Sequence, residues 1–201
     1  GALSFEILTN GKKLISNCGY YKNNKLNQLS KSSAAQSTLT IDDNSSCKFI
    51  KVHKSFLIKN GLRIIKKNFV FKKNYWKINA SHDGYQKRYN TIHEREIEFY
   101  PEELTFVGTD KIIKKINNNY KFDIRFHVEP DVKLMQTQDK KTILIELDGE
   151  GWRFTCDNYD INIDNGLYFG NKNLYTENQN IFISGISNDQ NEIIKWKIKK
   201  I

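Results

Sequence analysis

A two-residue alternation of apolar and polar side chains is the feature that most constrains the fold of this chain. It is clearest in the stretches FDIRFHVE (residues 122–129) and IKWKIKK (residues 194–200). Because successive side chains of a β-strand point to opposite faces, each stretch predicts a strand with one apolar face directed inward. The predicted inward residues are Phe122, Ile124, Phe126, Val128, Ile194, Trp196 and Ile198.

Turn-forming residues separate the alternating stretches about every ten residues. Asn10-Gly11 and Asp148-Gly149 each lie between two such stretches and predict tight hairpin turns, because these residues readily adopt positive φ. This rhythm is typical of an antiparallel sandwich. A chain of 201 residues can build one such core without dividing. We therefore predict an all-β protein, a large antiparallel β-sandwich, with residues 1–201 forming a single domain.

Helical periodicity is scarce. The stretch TDKIIKKINNNY (residues 109–120) is the best short candidate for a helix, with a long turn as the alternative. Residues 20–35 and 157–180 are polar and are predicted to be rich in loops. We find no internal repeat and no composition change that would mark a domain boundary.

Composition excludes several classes of protein. No run of about 18 apolar residues occurs, so no membrane span is expected. The first ten residues lack the features of a signal peptide, although an excised domain could have its export signal upstream. Cys18, Cys47 and Cys156 are widely spaced and form no CxxC pair, so core thiols are expected rather than disulfides or a thiolate zinc site.

The formal net charge of +9 favours anionic partners. The excess is spread along the chain, and no phosphate-binding loop or RNA-binding motif is present, so no nucleic-acid partner is predicted. Lys195, Lys197 and Lys199 form the polar side of the last strand. Such a row usually protects an edge strand from aggregation, and contact with a polyanion is the alternative.

Four histidines and one glutamine are the candidates for chemistry. His93 and Arg95 share a strand face with apolar neighbours, where they are either hydrogen-bonded at the end of a sheet or directed into a cleft. His127 is expected to be a solvated sheet residue. For His53 the sequence does not distinguish a structural role from a functional one.

The stretch SHDGY and residue Gln36 also have two readings each. His82, Asp83 and Tyr85 either line a cleft or belong to an ordinary Asp-Gly turn. Gln36 precedes a strand in which Leu39 and Ile41 point one way, while Gln36, Thr38 and Thr40 point the other. Its amide either serves a binding surface or ties the preceding loop to backbone groups.

Several stretches taken together resemble the C-terminal β-sandwich of the heparinase II/III family of polysaccharide lyases, especially its bacterial members. The resemblance spans nearly the whole chain and follows the family's order. It is carried by LSFEI…NGKKLISNCG, AAQSTLTIDD, SHDGY…IHERE, RFHVEPDV and DGEGWRF.

The resemblance implies a carbon-oxygen lyase in two parts, an N-terminal α/α toroid and a large β-sandwich of supersandwich type, with the active-site cleft between them. This chain corresponds to the second part alone. Members of the family cleave glycosaminoglycans or other uronate polysaccharides by β-elimination. That reaction removes the C5 proton and expels the oxygen at C4 while the uronate charge is neutralised. The family's principal Tyr lies in the toroid, so the isolated domain should not turn over substrate.

The resemblance also assigns roles to residues. Gln36 stands where relatives usually carry a His, and His93 falls at a second cleft histidine that is sometimes described as a metal ligand. An amide can hydrogen-bond a uronate carboxylate but is a poor zinc ligand, so zinc held by His93 is disfavoured. We thus predict Gln36 and His93 as catalytic, and His82, Tyr85 and Arg95 as substrate-binding.

The predicted function is the cleft wall of a lyase that acts on an acidic polysaccharide, with the toroid as partner domain. The alternative is a non-catalytic carbohydrate-binding or scaffold domain whose cleft has decayed, which the change to Gln36 favours. A periplasmic or cell-envelope location is expected from the family alone.

Overall fold

A computed structural model of the chain describes residues 1–21, 26–53, 55–170 and 174–201. Strands dominate this part of the chain. Two short helices, α1 (Leu26–Ser30) and α2 (Gln86–Tyr89), and two 3₁₀ turns, Ser33–Ala35 and Pro101–Glu103, accompany them. The strands are β1 (Ile7–Thr9), β2 (Lys12–Ile15), β3 (Leu39–Ile41), β4 (Lys48–Val52), β5 (Ser55–Asn60), β6 (Ile64–Lys72), β7 (Tyr75–His82), β8 (Thr91–Tyr100), β9 (Thr105–Lys114), β10 (Tyr120–His127), β11 (Lys133–Gln136), β12 (Thr142–Leu147), β13 (Glu150–Cys156), β14 (Ile161–Tyr168), β15 (Thr176–Ser187) and β16 (Asn191–Lys200).

Two antiparallel sheets of unequal size form the sandwich that the sequence predicts. The larger has eight strands in the order β11-β12-β13-β16-β9-β8-β7-β6, and the smaller has four in the order β14-β15-β10-β3. Strands β1–β2 and β4–β5 form separate two-stranded hairpins. The all-β prediction is confirmed.

Aromatic rings between the two sheets form the centre of the core. Trp196 of β16 stacks on Phe5 with ring centroids 5.5 Å apart, and its centroid lies 4.9 Å from that of Phe126 on β10. Phe154 of β13 completes the group, 4.8 Å from Phe126. The inward residues predicted for residues 122–129 and for β16 are all buried. Burial of these apolar faces is the main force that holds the sheets together.

Both predicted hairpin turns are present. Asn10 and Gly11 have φ of 48° and 78°, and Asp148 and Gly149 have φ of 53° and 78°. Positive φ at both central residues matches the twist of the flanking strands. Asp83 and the residues after it instead form a longer connection between β7 and β8, which contains α2.

Two predictions of secondary structure were wrong. Residues 109–114, assigned to a short helix or a long turn, are the second half of β9, which pairs with β8 on one side and with β16 on the other. Residues 161–168, assigned to loop, form β14. Sheet pairing on both sides of β9 outweighs a weak local pattern. In residues 20–35 the structure describes α1 and the 3₁₀ turn, while residues 22–25 and 171–173 lie outside the described residues.

Two side-chain predictions were also wrong. Strand β16 lies between β13 and β9, so its lysine row does not protect an edge. His127 is buried rather than solvated, because the 3₁₀ segment before β3 covers it and Ala34 O accepts a hydrogen bond from its Nε2 at 2.8 Å. Alternation identifies the two faces of a strand but does not show what covers either face.

The described helices are too short and too polar to cross a bilayer. Cys18 and Cys156 are buried free thiols, as predicted, and Cys47 is partly exposed. Burial raises the pKa of the Cys18 thiol to about 12, although Arg125 opposes the shift. These cysteines are therefore uncharged at neutral pH.

Close packing at Gly108 gives a test of the core. A methyl group on this residue of β9 would lie 2.0 Å from Cζ2 and 2.1 Å from Cε2 of Trp196. We expect Gly108→Ala to lower the free energy of unfolding by about 3 kcal/mol, because the indole must move within a filled core. Gly61→Ala is the control, since its added methyl would meet Ile58 at an ordinary 3.6 Å. Urea denaturation measures both variants, and equal stabilities would contradict this packing.

Candidate functional site: a buried histidine and aspartate chain below a basic groove

Three neighbouring strands of the large sheet bring the candidate residues together. His82 on β7 lies directly opposite His93 on β8, and Arg95 on β8 lies opposite Asp110 on β9. The two-residue period places all four side chains on the inner face of the sheet. The prediction that His93 and Arg95 share a face and need polar partners when buried is confirmed.

A chain of hydrogen bonds links the histidines to Asp110. The backbone N–H of Gly84 donates to His82 Nδ1 at 3.0 Å, so the neutral His82 ring carries its proton on Nε2. That nitrogen donates to His93 Nδ1 at 3.2 Å. His93 Nε2 then donates to Asp110 Oδ1 at 2.7 Å. The tautomers of both rings follow from one backbone donor.

Asp110 is the anion at the end of this chain. Its carboxylate accepts two bonds from Arg95, from Nε to Oδ1 at 2.7 Å and from Nη2 to Oδ2 at 3.1 Å. The indole N–H of Trp196 donates to Oδ2 at 2.9 Å. Burial alone would raise the pKa of Asp110, but the Arg95 cation and the bond from His93 hold it well below its usual value. Asp110 is therefore ionised at neutral pH and is paired with Arg95 inside the core.

Both histidines are neutral. Burial, and then the nearby His93 ring, lower the pKa of His82 to about 3. Burial also lowers the pKa of His93, even though Asp110 opposes the shift. A neutral imidazole whose two nitrogens are both occupied is able to fix its neighbours but has no free position for proton transfer.

Arg95 also ties two segments of backbone to the sheet. Its Nη1 donates to Leu3 O at 2.9 Å and to Ser37 O at 2.7 Å. Ser37 directly follows Gln36, so the position of the Gln36 backbone depends on the guanidinium. Truncating Arg95 would release this loop as well as leave Asp110 without its cation.

The Gln36 amide ties its own loop to backbone groups, which was one of its two predicted readings. Its Nε2 donates to Ser30 O at 3.2 Å, and its Oε1 accepts from the amino group of Gly1 at 3.3 Å. The side chain is half-buried. Its neighbour Ser37 accepts a hydrogen bond from Arg95, which in turn binds Asp110.

A groove with a cationic rim adjoins this buried hydrogen-bond network at Gly84. Two adjoining depressions of about 300 and 760 Å³ share Gly84 and Lys87 in their walls. Gly84 is also the residue whose N–H holds His82. A single hydrogen bond therefore connects the wall of the groove to His82. We call it the basic groove, and its defining residues are Lys31, Lys48, Gly84, Tyr85, Lys87 and Arg88.

Of the predicted substrate-binding side chains, His82 and Arg95 do not line this groove, and Tyr85 lines it with almost no exposed surface. His82, Tyr85 and Arg95 are exposed by 1%, 1% and 3%. The Tyr85 hydroxyl donates to Leu39 O at 2.6 Å, and burial raises the pKa of this phenol. These three groups reach a ligand only through the backbone and side chains that they hold in place, and their roles stay predictions.

Two residues of the site were missed from sequence. Asp110 lies in the segment assigned to a helix, and Trp196 was assigned to the core only. The pattern did contain a signal, because Phe106, Gly108, Asp110 and Ile112 form one face of β9 and place a single acid among apolar neighbours. A lone acid on an apolar face requires a buried cation or donor.

The described side chains do not fit a zinc site. No group of three or more His, Cys, Asp or Glu residues converges in residues 1–21, 26–53, 55–170 and 174–201. Both ring nitrogens of His93 are engaged by His82 and Asp110, and the Gln36 amide is a weak ligand already bonded to backbone. No metal is therefore assigned to His93.

The carboxylate of Asp110 should be essential for stability. We expect Asp110→Asn to lower the free energy of unfolding by about 3 to 5 kcal/mol, because it leaves Arg95 buried without its anion. Asp148→Asn is the matched control, since Asp148 pairs with Lys12 at the surface and asparagine tolerates its positive φ. The control should change stability by less than about 0.5 kcal/mol in the same denaturation experiment. A loss below about 1 kcal/mol in Asp110→Asn would contradict the network.

The buried histidines predict a loss of stability in mild acid. The pKa of His82 is lowered to about 3 and that of His127 to about 4, so as pH falls below about 6.5 the unfolded chain binds protons that the folded chain excludes. Each such histidine should cost about 2 kcal/mol between pH 7 and pH 5.

Urea denaturation at the two pH values tests this dependence. His127→Gln should reduce the pH-dependent loss by about 2 kcal/mol. Phe126→Leu serves as the control, because it weakens the core without removing a titrating group and should leave the pH dependence unchanged. An identical pH dependence in His127→Gln and the parent chain would show that His127 titrates normally.

A family model and several solved structures point to one family. The family described as heparinase II/III-like, C-terminal, matches residues 1–197. No curated protein shows significant sequence similarity to the chain. A heparan sulfate lyase, HepC from Pedobacter heparinus, superposes with a TM-score of 0.78 at 14% identity, over 98% of this chain and 30% of that one.

Two further solved structures show the same fold. A heparinase III gene product gives a TM-score of 0.74 at 13% identity, over 98% of this chain and 30% of its own. Another heparinase III gives 0.72 at 15% identity, over 98% and 29%. The chain thus spans less than a third of the length of these proteins. Because the family model matches nearly the whole of this chain and the chain folds into the same β-sandwich, the chain belongs to the heparinase II/III-like C-terminal family.

Proposed function

We propose that this chain is the β-sandwich part of a longer polysaccharide lyase that cleaves uronate-containing acidic glycans by β-elimination. Family membership and the shared fold support the enzyme class. The solved neighbours carry the names heparan sulfate lyase and heparinase, and their chains are about three times as long as the part matched here. We further propose that an α/α toroid is the partner domain and that the protein acts in the periplasm or cell envelope.

The observation that carries this proposal is the charge of the basic groove. Lys48, Lys87 and Arg88 line it together with Lys31. The acids at its margins are already paired, since Asp43 lies 3.7 Å from Lys121 and Asp83 lies 3.0 Å from Arg63. The groove therefore has an excess of cations, which suits a chain of carboxylated sugars.

The domain contributes charge neutralisation rather than proton transfer in this proposal. Elimination transfers the C5 proton of a uronate to a base, forms the C4–C5 double bond and breaks the bond from C4 to the leaving oxygen, which takes up a proton. Cations near the uronate carboxylate neutralise its charge both in the bound substrate and in the transition state, which favours removal of the C5 proton. Lys48 and Lys87 line the basic groove and are suited to that task. The base would come from the rest of the longer protein.

The buried hydrogen-bond network holds the backbone of the groove wall in place. His82 holds the Gly84 backbone in the groove wall, and Arg95 holds the backbone beside Gln36. We propose that His82, His93 and Arg95 act in catalysis as positioning residues. Their task is to keep donors in place before substrate arrives, which reduces the reorganisation required in the transition state.

A second candidate is a non-catalytic carbohydrate-binding or scaffold domain. It is favoured by one observation: His82 and His93 are buried and neutral, and Gln36 cannot accept a proton. In that case the groove would bind an acidic glycan, and the longer protein would release no unsaturated product.

The complete gene product should distinguish the two candidates. On a panel of acidic glycans we expect it to generate unsaturated uronate, followed by ultraviolet absorbance. Lys48→Gln combined with Lys87→Gln should raise KM about tenfold with little change in kcat, because these cations bind the substrate and its transition state alike. Binding of a glycan without any absorbance change would favour the second candidate.

A matched pair of variants controls for net charge. Lys59→Gln combined with Lys73→Gln removes the same charge from exposed positions outside the groove. This pair should leave KM within about twofold of the parent enzyme. Equal increases in KM in both double variants would show that overall charge, and not the basic groove, attracts the glycan.

A further inference from the structure

The outer face of strand β16 carries a row of cations that the basic groove does not use. Lys195, Lys197 and Lys199 occupy alternate positions on this face, while Ile194 and Trp196 face the core. Arg153 of β13 lies directly opposite Lys199. We call this set the basic stripe: Arg153, Lys195, Lys197 and Lys199.

The pairing of β16 makes the basic stripe rigid and linear. The strand pairs with β9 along one side and with β13 along the other. Alternate residues of a strand are about 6.8 Å apart, and neighbouring strands are about 4.8 Å apart. The stripe therefore presents cations at a regular spacing over about 14 Å, with Arg153 widening one end.

The positions next to the basic stripe on β9 carry no charge. Thr105, Val107 and Thr109 lie opposite Lys199, Lys197 and Lys195. In the part of the chain that the structure describes, Glu103 is the one ion-pair partner of the stripe, with Oε2 3.9 Å from Lys199 Nζ. The stripe is therefore not neutralised by its own strand neighbours.

The nearest acidic column lies one strand further away and has its own partners. Glu94 of β8 is 3.1 Å from Lys66 and 3.1 Å from Lys111, and Glu96 is 3.4 Å from Lys77. Glu98 accepts hydrogen bonds from two tyrosine hydroxyls, those of Tyr75 and Tyr100. Glu94 and Glu96 are therefore paired with cations outside the basic stripe, and Glu98 is hydrogen-bonded by its two tyrosines.

Edge protection does not explain the stripe, because β16 is a central strand. Like charges that face each other across strands, such as Lys199 and Arg153, repel and slightly destabilise the sheet. An anionic ligand would relieve this repulsion. The second reading of the lysine row, contact with a polyanion, therefore becomes the better one.

We propose that the basic stripe is a second binding site for an extended acidic polysaccharide. It lies on the face of the large sheet opposite to His93 and Arg95, so a glycan bound there does not enter the basic groove. Its immediate neighbours are threonines and a valine, with no aromatic ring on which a base could stack, which favours a glycan over single-stranded nucleic acid. Binding at the stripe does not require that the domain take part in cleavage.

Titration of the 201-residue chain with defined oligosaccharides at low salt tests this proposal. A heparin octasaccharide supplies sulfates and carboxylates, and an oligouronate of equal length supplies carboxylates only. We expect Lys195→Gln combined with Lys197→Gln to weaken binding of at least one of them about tenfold. The arginine variants at the same positions, K195R and K197R together, should bind like the parent, since they keep the charge.

Controls separate the basic stripe from net charge and from the basic groove. Lys59→Gln combined with Lys73→Gln removes the same charge elsewhere and should weaken binding less than twofold. Lys48→Gln combined with Lys87→Gln alters the basic groove only, so in this variant the oligosaccharide should still protect Lys195 from acetylation. Equal losses in the stripe and control variants, or no protection of Lys195 by either oligosaccharide, would overturn the proposal. Tighter binding of a single-stranded oligonucleotide at the stripe would overturn its assignment to a glycan. Intact stripe binding together with an absence of lyase activity in the complete gene product would count against the proposed function alone.

Discussion

The buried carboxylate of Asp110 is the constraint on which the candidate site depends. A charge in the core is tolerated only when its partners are complete, and here Arg95, His93 and Trp196 supply all of them. These partners come from the two strands on either side of β9. A shift of one residue in either pairing would turn them to the opposite face. The register of three central strands is therefore tied to the satisfaction of one anion.

The same network connects the core to the wall of the basic groove, which is the proposed ligand site. Arg95 fixes the backbone at Leu3 and Ser37, and His82 fixes Gly84 in the wall of the basic groove. Because the histidines are neutral and fully bonded, their contribution is geometric. This differs from the role that a cleft histidine would have with one free nitrogen. In the proposed function, charge neutralisation therefore falls to the exposed lysines and Arg88 of the basic groove.

Much of the fold could be predicted from local pattern. The inward residues of β16 and of residues 122–129, and both hairpin turns, follow from alternation and from residues that accept positive φ. The site was predicted less well. His93 and Arg95 were correctly placed on one apolar face, but Asp110 was hidden in a segment assigned to a helix. His127 was assigned to solvent because nothing local shows that a loop covers it.

By itself the sequence determined the two tight turns and the apolar faces of the clearly alternating strands, because these properties depend on residues within a few positions of one another. It did not identify the second half of β9 or β14 as strands. Only the tertiary structure decided the order of the strands. That order made β16 central, left its lysines as a stripe on an open face, and brought Asp110 between Arg95 and Trp196. The reason is physical: pairing between distant strands depends on the combined satisfaction of buried groups, and a local period of two residues carries no information about it.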